Sequence, residues 1–146
     1  MVVVVDANIL ISAALTPLGP IADFIFSNSS KTQFIAPAFI LDETKANEAR
    51  ICAKSKISIS EFKQNLLLLL SRLIIVEDDE ISDEIFKKAF ELTKTIDTKD
   101  TIYIALAISF AQIGRIAFLP FQSLVCMRKV GGALLVLHRH QTKFYQ

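Results

Sequence analysis

Val2-Val3-Val4-Val5-Asp6-Ala7-Asn8 opens the chain, and the reading of this stretch decides the fold. Four β-branched residues in succession leave no polar face for water. They predict a strand buried on both sides, as in a parallel sheet covered by helices. The next segment, Ala7 to Leu15, reads as a helix. A strand that runs straight into a helix puts the junction at the carboxyl edge of the sheet, where open α/β folds bind ligands. Asp6 stands on that junction. Its ordinary role would be to cap the helix; its other reading is a ligand, most simply for a metal.

Outward from this junction, strands and helices alternate. Thr16-Pro17-Leu18-Gly19-Pro20 breaks the first helix, and Ile21 to Phe26 forms a second, short one. After the loop Asn28 to Lys31, Gln33 to Ala36 is the second strand, and Pro37 opens a helix running to about Lys54. Ser58 or Ser60 caps the next helix, with Glu61 at capping-box spacing from Ser58. Leu73 to Val76 is the third strand, closed by the acidic run Glu77 to Glu80. Ser82 caps a helix in which Ile85, Phe86, Ala89, Phe90 and Thr93 follow the helical period. A last helix begins near Asp97 and runs to about Gln112; Ile116 to Leu119 and Ala133 to Leu137 are strands four and five. The alternation implies a parallel sheet with helices on both faces.

Length and composition bound the answer. With 146 residues the chain is read as one domain, and 52% apolar residues argue against disorder. Cys52 and Cys126 have no metal-type spacing and read as buried thiols of a reducing compartment, which points to the cytoplasm. No basic region precedes the valines and Asp6 interrupts them, so no signal peptide is expected. Leu66 to Val76 is too short for a membrane span. Thr101 to Met127 contains Arg115, Gly114, Pro120 and several polar residues, so no span is expected there either. Charge is unevenly spread. The first hundred residues hold eleven Lys and Arg against fifteen acids, a net of −4, while the last forty-six hold five Lys and Arg and no acid, a net of +5.

Further carboxylates stand at other element boundaries. Glu43 follows the second strand, with Phe39 four residues before it and Ala46 three after, so it points to a partly apolar face. Asp42 lies about a hundred degrees round the helix and is the weaker candidate. Asp97 and Asp100 open the most apolar helix, which continues as Ile102-Tyr103-Ile104-Ala105-Leu106-Ala107, and read as a cap and a first-turn acid. Each alone reads as an ordinary helix-end acid. Gathered at one sheet edge, Asp6, Glu43 and Asp100 would repel one another unless a divalent cation sat among them. Such hard oxygen donors suit Mg2+ or Mn2+. Zinc suits them less, because His138 and His140 are distant in sequence from these motifs. The chemistry implied is phosphodiester hydrolysis.

At this point the chain resembles the PIN-domain nucleases, which include the toxin ribonucleases of toxin–antitoxin pairs. The resemblance lies in three stretches: Val2 to Ser12 with Asp6-Ala7-Asn8, Ile35 to Glu43, and Asp97 to Ala107. It covers roughly residues 1 to 112; each motif alone is weak, and their order and spacing are fairly specific. It implies a three-layer α/β/α sandwich around a mainly parallel sheet, and Mg2+- or Mn2+-dependent cleavage of RNA in the cytoplasm. It also implies that Asp6, Glu43 and Asp100 hold the metal and carry catalysis. Asn8 and Asp97 would support them, Asn8 through a hydrogen bond within the acidic site. An antitoxin partner and a homodimer are further implications.

The chain also departs from the family. After the third acid the family runs through a strand into Thr-x-Asp or Asn-x-Asp, whereas here Ile116 to Leu119 leads into Pro120-Phe121-Gln122-Ser123. Two readings stand: a tolerated variant with a three-acid site, or a reading frame shifted between about Gln112 and Pro120, which makes 113–146 an altered tail. A catalytically weak or inactive module of the same fold, binding RNA or a partner protein, is the alternative function. The basic tail, with Arg115, Arg128, Lys129, Arg139 and Lys143, is a candidate for phosphate contact. A phosphate-accepting receiver domain is disfavoured because a single acid ends strand one. A haloacid-dehalogenase-like phosphatase is disfavoured because Asn8 stands where it needs Asp.

Overall fold

A computed structural model describes residues 2–28, 32–112 and 136–137. The four valines form strand β1 (Val2–Val5), buried along its whole length. At Asp6 the backbone is still extended, and its carboxylate accepts the Asn8 backbone N–H at 2.5 Å. That bond satisfies one of the free donors of the first helical turn and starts α1 (Ala7–Leu15). The turn after α1 is closed by Gly19 N–H on the Thr16 carbonyl. A Cβ at Gly19 would stand 2.9 Å from that oxygen, so the turn needs glycine. Helix α2 (Pro20–Asn28) begins at Pro20, one residue earlier than predicted, because proline fits the first helical turn.

Strand β2 is Gln33–Pro37 and helix α3 is Phe39–Ser55. Here the expectation that Pro37 opens the helix is corrected. Pro37 still pairs in register with Val76 of β3, and the Ala38 N–H bonds the Val76 carbonyl at 2.9 Å. A proline at the last strand position removes only one ladder donor, and the neighbouring bond at Ala38 secures the strand end. Ala38 supplies no side-chain cap, and Asp78 of the acidic run accepts the Phe39 N–H at 3.4 Å instead. Ser58 caps α4 (Ile59–Leu70) through the Glu61 N–H, as its spacing predicts. Strand β3 is Leu73–Val76, so the apolar stretch Leu66 to Val76 divides into a helix end and a strand. Ser82 caps α5 (Asp83–Thr93). The last helix begins later than predicted. Asp97 caps a single 3-10 turn, Thr98–Asp100, and α6 (Thr101–Gln112) comes directly after it.

The sheet is parallel, in the order β3-β2-β1-β4, with β4 formed by Val136–Leu137 against Val4 and Val5. That pair falls within the predicted fifth strand; the predicted fourth strand, Ile116 to Leu119, lies outside the described residues. Helices α1 to α4 pack among themselves, while α5 packs on α6 and α6 lies on β1 and β2. This is an α/β sandwich of the expected kind. The Asn65 amide donates to the Ala14 carbonyl at 2.9 Å, linking α4 to α1. The Thr93 and Thr101 hydroxyls, 2.6 Å apart and buried, link α5 to α6. Cys52 is a buried free thiol, as expected, and burial beside Glu48 pushes its pKa up. Among the described residues no single helix is long and apolar enough to cross a membrane.

Candidate active site

The chain order of the strands makes β1 a reversal point. From β1 the sheet grows to β2 and β3 on one side, and β4 returns to β1's other side. Beyond the carboxyl end of such a strand the crossovers diverge and leave a crevice for ligands. Asp6 stands at that end of β1 and is 3% exposed, an unusual position for a carboxylate. Asn8 reaches it through its backbone N–H, and is itself half-buried.

Glu43 reaches the same region from the second turn of α3. It is half-buried, like Phe39, while Ala46 is exposed, so the predicted apolar face is only partly apolar. The partner that explains the position of Glu43 lies sixty residues further along the chain: the Tyr103 hydroxyl of α6 donates to Glu43 Oε2 at 2.8 Å. Tyr103 is 3% exposed. Burial pushes its phenol far above the usual tyrosine range. The hydrogen bond to Glu43 and the charges of Glu43 and Asp6 push it the same way, against a backbone hydrogen bond from Ala7. One hydroxyl therefore feels both carboxylates, which brings Asp6 and Glu43 to a common neighbour.

Asp100 is half-buried and ends the 3-10 turn directly before α6, three residues and about one turn ahead of Tyr103. Asp97 is exposed, and its carboxylate accepts the Lys99 N–H at 2.9 Å, the capping role open to it from the sequence. Asp42 is exposed. Among the described residues no group of three or more Asp, Glu, His or Cys side chains stands together as a metal cage. The arrangement is one carboxylate, Glu43, hydrogen-bonded to a phenol that also feels the charge of Asp6, with a third acid, Asp100, about one turn before that phenol in the chain.

Those donors fit Mg2+ or Mn2+ in kind. Mg2+ in particular uses one or two carboxylates and fills its remaining positions with water and substrate phosphate, rather than a cage made wholly by protein. Asp6 and Glu43 are donors of that chemical kind; a closed site for zinc would need four protein ligands.

The sequence alone does not single out Tyr103, which reads there as one more apolar residue of its helix. A signal exists nonetheless. A phenol in an otherwise apolar helix needs a hydrogen-bond partner once buried.

Tyr103 also gives the site a pH signature. The folded state holds its proton more tightly than the unfolded chain, whose tyrosine pKa is about 10. The stability this contributes is complete below about pH 10 and is lost as pH rises further. The chain has two tyrosines and no tryptophan. An alkaline absorbance titration should therefore show one phenol that ionises only with unfolding, and Tyr103→Phe should remove that late step. A late step that survives the substitution would contradict this.

A family model described as PIN domain matches residues 4–113. The matched range takes in Asp6, Asn8, Glu43, Asp97, Asp100 and Tyr103. No curated protein and no solved structure shows significant similarity to the chain.

Proposed function

The chain belongs to the PIN-domain family, a nuclease-type fold, and from that premise we propose that it is a Mg2+- or Mn2+-dependent endoribonuclease. The observation that carries this reading is buried Asp6 at the carboxyl end of β1 together with half-buried Glu43, which is hydrogen-bonded to a buried phenol that also feels the charge of Asp6. Asp6 and Glu43 would hold the cation, with Asp100 as third ligand. When bound, the cation supplies Lewis acidity and offsets the charge that builds up on a phosphodiester during hydrolysis. The residues' own contribution is rigidity. Asp6 is fixed by its capping bond, and Glu43 by the phenol. Asn8 and Asp97 support the two ends of the site through backbone contacts. A role as the toxin of a toxin–antitoxin pair, with an antitoxin partner, a homodimeric state and a cytoplasmic location, completes the proposal.

A second reading is a module of the same fold that binds RNA or a partner protein without cutting. It is favoured by the absence of a three-ligand cluster among the described residues and by the absence of any acid after Asp100. Cleavage of single-stranded RNA by the full chain separates the two. The nuclease reading expects cleavage that needs added Mg2+ or Mn2+ and stops with a chelator. RNA bound without cleavage at any metal concentration would replace it with the second reading, and cleavage indifferent to chelator would contradict both.

A further inference from the structure

Tyr103 does more than fill the core. It is buried on α6, the helix that lies on β1 and β2, and its hydroxyl meets Glu43 of α3. Among the described residues every buried side-chain nitrogen or oxygen has a hydrogen-bond partner. Glu43 accepts the phenol's hydrogen bond, and the Ala7 backbone is its other partner, so replacing the hydroxyl releases Glu43 from its contact on α6. Glu43 projects from the second turn of α3, half-buried, on a side chain with three rotatable torsions. Without an anchor it would sample rotamers that carry its carboxylate toward water. The anchor is also well placed. The same α6 rests on β1, whose end bears Asp6, and on β2, which leads into α3.

Resting on the nuclease reading, we propose that Tyr103 is a positioning residue: its hydroxyl holds the Glu43 carboxylate beside the end of β1, so that Glu43 and Asp6 take a divalent cation together. A carboxylate offers about four lone-pair sites, so the single bond to Tyr103 leaves Glu43 acceptor capacity for a cation. Groups that hydrogen-bond metal ligands from behind orient them in this way, and their loss typically lowers metal affinity about 10- to 100-fold.

The test is Mn2+ binding to the full chain, measured by calorimetry without RNA. Tyr103→Phe, which keeps the ring, should weaken binding roughly 10-fold. The same substitution made on top of Glu43→Ala should cost much less, because the larger part of the hydroxyl's effect passes through Glu43 and only its backbone contact with Ala7 remains. Wild-type affinity in Tyr103→Phe, or an equal loss in the Glu43→Ala background, would overturn the inference. Asp6→Asn separates the failures. If it binds Mn2+ like the wild type, the nuclease reading falls and this inference with it. If it binds weakly while Tyr103→Phe is unaffected, the inference alone falls. A measurement on the unaltered pair covers a Tyr103→Phe chain that does not fold. In a Tyr145→Phe background the tyrosine band of the near-ultraviolet spectrum, which lies to longer wavelength than the phenylalanine bands, comes from Tyr103 alone, since the chain has no tryptophan. Mg2+ should change that signal with the midpoint of its binding, and a signal indifferent to saturating Mg2+ would overturn the inference.

Discussion

Asp6→Asn is expected to lower metal-dependent RNA cleavage by at least about 10²-fold while leaving the fold standing. Groups that only support a metal ligand are worth about 10- to 100-fold, so loss of a ligand should exceed that. The choice of Asn matters. Asp6 both occupies the candidate metal site and caps α1 through the Asn8 N–H. Asn caps a helix about as well as Asp, so this substitution removes the charge and keeps the cap. Burial also favours the change, because an amide is easier to desolvate than a carboxylate. Asp6→Ala removes charge and cap together and should cost roughly 1 kcal/mol of stability in addition. Thermal melting and cleavage, measured on both variants, divide the two roles. An Asp6→Asn chain that cuts RNA at the wild-type rate would remove Asp6 from the catalytic site.

The same division explains which features are legible in the sequence. Elements whose local chemistry and packing agree can be read closely. The valine run has only one use in an α/β protein, and Ser58 and Ser82 carry their caps in their spacing. Pro37 shows the limit. Its fixed φ suits a helix start and a strand end alike, and its register with Val76, far along the chain in β3, makes the choice. The start of α6 shows a second limit. Asp97 caps the turn after it, but nothing local distinguishes a 3-10 turn from the first turn of an α-helix. The candidate site is legible as acids at or near element boundaries and illegible as geometry. Glu43 meets Tyr103 through a contact sixty residues distant, and no periodicity within α3 announces that contact. Long-range pairing of this kind is where local rules stop, because side-chain direction follows from tertiary packing.

The second large effect concerns the platform on which Asp6 rests. Phe34→Ala is expected to cost about 3 to 5 kcal/mol, a large share of the roughly 5 to 15 kcal/mol that hold a domain folded. Phe34 is 1% exposed and sits within β2, in register with Val3 of β1 on one side and Leu73 of β3 on the other. Its ring meets Phe24 of α2 edge to face, centroids 5.7 Å apart at 85°, so truncation opens a cavity that reaches from the sheet to the helical layer. A sheet of short strands cannot collapse into such a gap without moving β1, so little of the cost is recovered by relaxation. Phe34→Leu, which keeps most of the volume, should cost less. A double-mutant cycle with Phe24→Ala should return a coupling of about 0.5 to 1.5 kcal/mol for the ring pair. Urea unfolding measures all of these. The outcome also bears on the site. If Phe34 acts only through the platform, cleavage by Phe34→Leu should fall in step with its folded fraction. Cleavage lost from a fully folded Phe34→Leu chain would mean that the spacing of β1 and β2 is itself part of the catalytic geometry.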